Sequence, residues 1–179
     1  PADGPPEDPS HGSPHRMVSS ETFDTTKTFA DLGLPESVLK GVTAAGFVHP
    51  TKIQAALIPV AMTGKDVLGQ AKTGTGKTAA FSLPVLGLLK PGDQFAALVL
   101  VPTRELAIQV CREVKELGGH TGLEAIPVYG GKPIQTQAKA LQKNPAIIVG
   151  TPGRVMDMHG RGMLPYDRVK LAILDEVDR

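Results

Sequence analysis

Short, continuous apolar runs alternate with amphipathic stretches through the second half of the chain. The runs span residues 96–101, 125–129, 146–149 and 169–174. Runs that are apolar at nearly every position are typical of strands buried on both faces of a parallel sheet. Helical patterns follow the first three runs, at residues 104–117, 133–143 and 153–159. This alternation predicts an α/β fold of three layers, a parallel sheet flanked by helices, with the carboxyl ends of all strands at one edge.

The first part of the chain has a different character. Residues 1–27 are rich in Pro, Gly, Ser and acidic residues and lack apolar periodicity, so we predict a disordered tail there and one folded domain at 28–179. Pro35 in a first turn and Gly46 as a stop predict a helix over residues 36–45. Thr51 is a typical N-cap residue and predicts a second helix that ends at Gly64.

Composition narrows the class of protein. The 179 residues are 41% hydrophobic and 21% charged, which is typical of one globular domain. The single cysteine, Cys111, excludes an internal disulfide bond and is expected to be buried in a helix. No apolar run approaches the roughly 18 residues of a membrane span, and residues 1–15 lack the apolar segment of a secretory signal. We therefore expect a soluble, intracellular, cytoplasmic protein that has no membrane partner.

The charge distribution is uneven along the chain. Residues 1–30 carry a net charge of −3 and the remainder a net charge of +4, which together give the overall +1. A mildly basic body tolerates a polyanionic partner but does not identify one.

The segment from residue 71 to residue 78 carries the clearest chemical signal. It fits the phosphate-loop pattern, with Ala71 where the general pattern has Gly, and reads Ala71-Lys72-Thr73-Gly74-Thr75-Gly76-Lys77-Thr78. A predicted strand at 66–71 and a helix after the loop provide the setting that such a loop requires. Its glycines let backbone N–H groups surround a polyphosphate, while Lys77 adds a charge and Thr78 a hydroxyl for Mg²⁺. Pro84 is expected to kink the helix or to shorten its first segment.

A cluster of acids follows the last apolar run and reads Asp175-Glu176-Val177-Asp178. Parallel topology brings this segment to the same edge of the sheet as the phosphate loop. We expect Asp175 to hold Mg²⁺, directly or through water, and Glu176 to orient and deprotonate the attacking water. Together with Lys77, these two acids are the candidate catalytic residues.

In their order and spacing these motifs resemble those of the DEAD-box ATP-dependent RNA helicases, over residues 29–179. The similar segments are a Q motif at 46–54 with Phe29 upstream, motif I at 71–78, motif Ia at 102–109, the pair Gly130-Gly131, the segment Thr151-Pro152-Gly153-Arg154, and motif II at 175–178. The resemblance implies the first RecA-like lobe of a P-loop enzyme that uses ATP and Mg²⁺ and unwinds or remodels RNA.

The resemblance also implies roles for individual residues. A glutamine amide can accept from adenine N6–H₂ and donate to N7, which guanine cannot satisfy, so Gln54 predicts ATP over GTP. Phe29 is expected to pack on the base, and Lys52 belongs to the same motif. The residues expected to hold the RNA sugar-phosphate backbone without reading bases are Pro102, Thr103, Arg104, Gly130, Gly131, Thr151, Pro152, Gly153 and Arg154.

Three features depart from the family pattern. Lys52 replaces the usual Pro of the Q motif, and Val177 replaces the Ala of motif II. The sequence stops at Arg179, before the motif III strand and the second lobe, so we expect a fragment of a longer helicase that turns over ATP very slowly by itself. The alternatives are a non-catalytic module that binds ATP or ADP and a two-lobed translocase that acts on DNA.

Overall fold

The computed structural model describes residues 23–64 and 77–175. Most of the predicted tail, the predicted strand at 66–71, the loop residues up to Gly76, and Glu176 lie outside the described residues. The described part contains a short 3₁₀ helix, six α-helices and four strands. Their bounds are 3₁₀ Phe29–Leu32, α1 Glu36–Ala44, α2 Lys52–Met62, α3 Lys77–Leu88, β1 Ala97–Leu100, α4 Arg104–Leu117, β2 Ala125–Val128, α5 Ile134–Leu141, β3 Ile147–Gly150, α6 Pro152–Gly160 and β4 Leu171–Leu174.

The four described strands form one parallel sheet in the order β2-β3-β1-β4. The central strand β3 is buried at all four positions, as the continuous apolar run predicted. Strand β4 is different: it pairs with β1 alone among the described strands, and its Leu174 is 71% exposed. The predicted parallel sheet flanked by helices is confirmed, but the expectation that every apolar run is buried on both faces fails for β4 in the described part of the chain.

The sheet separates two hydrophobic cores because successive strand residues point to opposite faces. In β3, Ile147 and Val149 belong to the larger core, which contains the apolar faces of the 3₁₀ helix and α1–α4. Ile148 lies in the smaller core with Val155 and Met158 of α6. Helices therefore cover both faces of the sheet, and the side chains of neighbouring β3 residues serve different layers.

Local sequence sets the helix boundaries. The helix predicted to follow Thr51 begins at Lys52, and the Thr51 hydroxyl accepts a hydrogen bond from the N–H of Gln54. After the end of this helix, Gly64 adopts the left-handed backbone conformation, with φ +81°. Helix α3 continues through Pro84 to Leu88, so the shortening that we gave as one alternative for Pro84 does not occur.

Contacts begin before residue 28, where we expected the folded domain to start. Phe23 forms an isolated antiparallel bridge with Thr51, and the N–H of Asp24 donates to the carbonyl of Pro50 at 2.9 Å. These contacts attach residues 23 and 24 to the entry of α2. A search of the described residues finds no helix with the length and apolarity needed to cross a membrane.

Cys111 should be unreactive in the native protein. It is 2% exposed on the buried side of α4, and burial raises the pKa of its thiol to about 11. Because the thiolate is the nucleophile, we expect almost no labelling by a disulfide reagent at pH 8 until the protein unfolds. The measurement is the release of the chromophore from Ellman's reagent over time.

The control is the same reaction in concentrated urea, where this single cysteine should give one thiol equivalent per chain. Rapid labelling of the native protein would contradict the position of Cys111 on the buried side of α4.

Candidate functional site

The carboxyl ends of the four described strands lie in one row across the sheet. Val128 pairs with Gly150, Gly150 with Leu100, and Leu100 with Leu174. Backbone hydrogen bonds continue one residue further, from Thr151 N–H to Val128 O at 3.0 Å and from Asp175 N–H to Leu100 O at 2.9 Å. The segments predicted to carry function follow this row directly, so the expected common edge exists for the four that the structure describes.

The first segment joins β1 to α4. Pro102, Thr103 and Arg104 are all exposed, and the Thr103 hydroxyl oxygen accepts the N–H of Leu106 as the helix cap. A hydroxyl that accepts one hydrogen bond still has its own proton to donate, so Thr103 can offer it to a phosphate. Arg104 Nε donates to Glu105 Oε1 at 3.0 Å, and this hydrogen bond holds the pKa of the Glu105 carboxyl below its usual value.

The second segment is the turn Gly130-Gly131 after β2. Gly131 has φ +88°, a conformation that side chains rarely adopt. A Cβ at this position would lie 3.1 Å from Nη1 of Arg104. The absence of a side chain therefore lets the guanidinium of Arg104 lie close against the turn, and the predicted motif Ia and Gly-Gly segments form one surface.

The third segment starts α6. Thr151 is its N-cap and Pro152 its first residue, and no hydrogen bond from the helix to the Thr151 side chain forms. Gly150 permits the close approach of this helix start, because a Cβ there would lie 2.7 Å from the carbonyl oxygen of Val128 and overlap Val155. The first turn is thus held against β2 and β3, with Gly153 exposed and Arg154 partly exposed.

One buried side chain that we did not predict links the second and third segments. Gln137 on α5 is 2% exposed and donates from Nε2 to the carbonyl of Tyr129 at 2.9 Å. Its Oε1 accepts from Arg154 Nη1 at 3.1 Å, and the same Nη1 donates to the carbonyl of Lys132 at 2.8 Å. The sequence holds a signal for this residue: Gln137 lies on the apolar stripe of α5, three residues after Ile134 and four before Leu141.

The Q-motif residues lie at the start of α2. Gln54 is 3% exposed, and its Oε1 accepts the backbone N–H of Thr51 at 2.9 Å, which completes a capping box. This bond fixes the orientation of the amide, and a carbonyl oxygen with two lone pairs can accept a second hydrogen bond. Lys52 is exposed on the first turn. The roles predicted for both residues toward a nucleotide stay predictions.

Phe29 occupies a more buried position than its predicted role suggested. It is 4% exposed in the larger core, and its ring centroid lies 6.1 Å from that of Phe47, which is 41% exposed. Packing of Phe29 on a base stays a prediction, and Phe47 is the exposed aromatic of this pair. Phe47 was not among the predicted site residues. Its place in the sequence, within the Q-motif segment and directly after Gly46, was the signal that could have identified it.

Lys77 and Thr78 begin α3, as the phosphate-loop pattern requires. The Thr78 hydroxyl donates to the partly buried carboxylate of Glu113 on α4. Burial raises the pKa of the Glu113 carboxyl above its usual value, and the hydrogen bond from Thr78 opposes part of that shift. Because the Thr78 oxygen gives its proton to Glu113, its lone pairs remain available to a cation.

Asp175 follows β4 and is 8% exposed. Hydroxyl and carboxylate oxygens are the hard ligands that Mg²⁺ prefers, so Thr78 and Asp175 fit the predicted cation by their chemistry. Within residues 23–64 and 77–175, no three His, Cys, Asp or Glu side chains come together as a metal site.

The remaining predicted residues lie outside the described part of the chain. They are Ala71, Lys72, Thr73, Gly74, Thr75, Gly76 and Glu176. The described residues fall into two groups: a turn-and-helix surface after β1, β2 and β3, and a set of polar groups at the starts of α2 and α3 and after β4.

Comparison with known proteins identifies the family. The family described as DEAD/DEAH box helicase matches residues 51–179. The chain is 49% identical over 152 residues to the DEAD-box ATP-dependent RNA helicase CshA of Bacillus cereus, covering 84% of this chain and 29% of that protein. It is 46% identical over 151 residues to RhpA of Helicobacter pylori, covering 84% of this chain and 31% of the relative. The chain thus spans about a third of the length of these curated relatives.

Solved structures agree with the sequence comparison. A DEAD box protein from the hyperthermophile Methanococcus jannaschii matches with a TM-score of 0.80 and 44% identity, over 84% of this chain and 42% of that one. Dbp5 of S. cerevisiae, bound to RNA and ADP BeF₃, matches with a TM-score of 0.77 and 37% identity, over 85% of this chain and 39% of that one. The ordered motifs, the parallel sheet and the family match lead to one conclusion: the chain belongs to the DEAD/DEAH box helicase family.

Proposed function

We propose that the chain is the first lobe of an ATP-dependent RNA helicase. It binds Mg-ATP and the sugar-phosphate backbone of RNA, and in the intact protein, where a second lobe completes the cleft, ATP hydrolysis drives unwinding or remodelling. The observation that carries the proposal is the single surface formed by Arg104, Gly131 and Arg154 beside the starts of α4 and α6. Relatives named as ATP-dependent RNA helicases, and Dbp5 bound to RNA and ADP BeF₃, support it.

The proposed RNA surface has the donors that hold phosphates. Two arginines, two N-cap threonines and the N–H groups of two helix starts lie after parallel strands. Such groups bind phosphate and sugar oxygens, and the positive ends of the helix dipoles add to the attraction. We infer that this surface binds RNA largely independently of the base sequence.

The nucleotide is oriented by residues of this chain. The capping box holds the Oε1 of Gln54 toward Thr51 and so fixes the plane of the amide, whose Nε2 would donate to adenine N7 when the nucleotide binds. Lys77 and the backbone N–H groups of residues 71–76 would attract the phosphates, and Glu176 would take the proton of the attacking water. Thr78 and Asp175 would hold Mg²⁺, which neutralises charge on the phosphate oxygens when bound. The proposed location is the cytoplasm, where thiols such as Cys111 stay reduced.

The test of the proposal is the ATPase activity of the intact protein with and without a single-stranded RNA. We expect RNA to stimulate phosphate release, and a single-stranded DNA of matched length and sequence to stimulate it less. Binding of ADP without turnover at saturating RNA would favour the non-catalytic nucleotide module. Equal or greater stimulation by DNA would favour the DNA translocase.

Adenine selectivity is a separate prediction. Titration calorimetry should show Mg-ADP binding at least about tenfold tighter than Mg-GDP, because guanine would leave the amide of Gln54 with unmatched hydrogen-bonding groups. Gln54→Ala should reduce ADP affinity and remove most of the preference. Equal binding of both nucleotides by the unmodified protein would show that Gln54 does not read the base.

A further inference from the structure

Gln137 is the buried member of a partly buried polar cluster behind the proposed RNA surface. The cluster consists of Gln137, Arg154 and the carbonyl groups of Tyr129 and Lys132. The two carbonyls flank the pair Gly130-Gly131. Through one amide and one guanidinium, the cluster therefore fastens both ends of this turn to the first turn of α6.

We infer that Gln137 is a positioning residue for RNA binding. It acts by holding Arg154 and the Gly130-Gly131 turn in a fixed position relative to each other. This inference rests on the proposed RNA-binding function and assigns that function a residue with no direct role in contacting the RNA. Gln137 is 2% exposed, so a backbone phosphate outside the protein cannot reach its amide. Its effect on RNA must pass through the groups that it bonds.

The hydrogen-bond directions explain why glutamine suits this position. Arg154 is a donor only, and the carbonyl of Tyr129 is an acceptor only. A side chain between them must accept on one side and donate on the other, as the Oε1 and Nε2 of Gln137 do. Leucine offers neither group, and an ionised glutamate accepts from Arg154 but cannot donate to Tyr129.

The bonds also orient the rest of the guanidinium. Nη1 of Arg154 carries two N–H groups, and its two acceptors are Lys132 O and Gln137 Oε1. Because a guanidinium is planar and rigid, fixing Nη1 fixes the directions of the N–H groups on Nη2 and Nε. Those groups are then set in advance toward a partner, which reduces the conformational entropy lost when RNA binds.

The test compares Gln137→Leu with Gln135→Leu in the intact protein. Gln135 lies on the same helix and is exposed, so the control makes the same chemical change away from the cluster. The probe is a labelled oligouridylate, titrated by fluorescence anisotropy in the presence of a non-hydrolysable ATP analogue. We expect Gln137→Leu to weaken RNA binding about tenfold, as the loss of a hydrogen bond to a charged group does, and to leave ADP affinity unchanged.

A double-mutant cycle with Arg154→Ala separates positioning from general stability. If Gln137 acts through Arg154, the Gln137→Leu change should have little further effect on RNA affinity once Arg154 is replaced. Additive effects of the two substitutions would overturn the inference, as would RNA affinity of Gln137→Leu equal to that of Gln135→Leu.

Gln137→Glu covers the case in which the leucine variant does not fold. It keeps the acceptor for Arg154 and loses the donor to Tyr129, so we expect a smaller loss of RNA affinity with ADP binding retained. RNA affinity of this variant equal to that of the unmodified protein, together with an unfolded leucine variant, would reduce Gln137 to a purely structural residue. Failure of the unmodified protein to bind the oligouridylate would instead reject the proposed function itself.

Discussion

Replacing Gly41 with alanine should destabilise the protein by about 3 kcal/mol, because it forces helix α1 away from α4. Gly41 is buried in α1, and a Cβ there would overlap the carbonyl oxygen of Leu117 and lie 2.8 Å from its carbonyl carbon. Both obstructing atoms belong to the backbone of α4, so no side-chain rotation relieves the overlap. The helices must separate, and the larger core between them loses packing.

Thermal unfolding followed by circular dichroism measures this effect. A loss of this size should lower the melting temperature by about 10 °C in a domain of this length. The matched control is Gly160→Ala at the end of α6, where a Cβ meets no atom within 4 Å. Because alanine has the higher helix propensity, Gly160→Ala should be neutral or slightly stabilising. If the Gly41→Ala protein has the same melting temperature as the unmodified protein, the close crossing of α1 and α4 is contradicted.

Replacing Lys77 with alanine should lower the proposed RNA-stimulated ATPase activity of the intact protein by about a hundredfold to a thousandfold. The structure gives Lys77 as the first residue of α3, the position that follows the glycine-rich segment of the phosphate-loop pattern. In the proposed function, a lysine there would bring a positive charge to the phosphates, where negative charge increases in the transition state. Alanine removes that charge and keeps the helix.

The control for Lys77 is Lys90→Ala, which makes the same change in charge just beyond the other end of α3. Lys90 is exposed, and the hydrogen bond that it makes to Asp93 comes from its backbone N–H, which alanine retains. The ATPase activity of the Lys90→Ala protein should equal that of the unmodified protein. Phosphate release measures turnover, and calorimetry with Mg-ADP measures binding. If both variants turn over ATP at the same rate, Lys77 has no part in the reaction.

The sequence predicted most secondary structure because the local signals were consistent. Residues 104–117 were predicted and found as one helix, since an N-cap threonine, an apolar stripe and a terminal glycine agree there. The four apolar runs were found as strands within two residues of the predicted ends. Their parallel pairing followed from the helices between them, because consecutive parallel strands need crossover connections.

The features that the sequence did not predict have a common physical cause, because each depends on contacts between segments that are distant along the chain. The apolar pattern of β4 predicted burial, but the exposure of Leu174 depends on which strands and helices lie beside it. The bridge between Phe23 and Thr51 joins two segments that lie far apart along the chain, so no local pattern predicted it. Gln137 appeared to be one polar residue on an amphipathic helix until α5 was placed beside Arg154.

The sequence by itself determined the family, the α/β class and the identity of the candidate site residues, because short motifs with fixed spacing carry their chemistry locally. Only the tertiary structure decided which of those residues meet. It placed Arg104 against Gly131, directed the Thr78 hydroxyl to Glu113, and joined Arg154 to the Gly130-Gly131 turn through Gln137. These contacts link segments that are distant along the chain, so they depend on how the helices pack on the sheet and no local pattern can encode them.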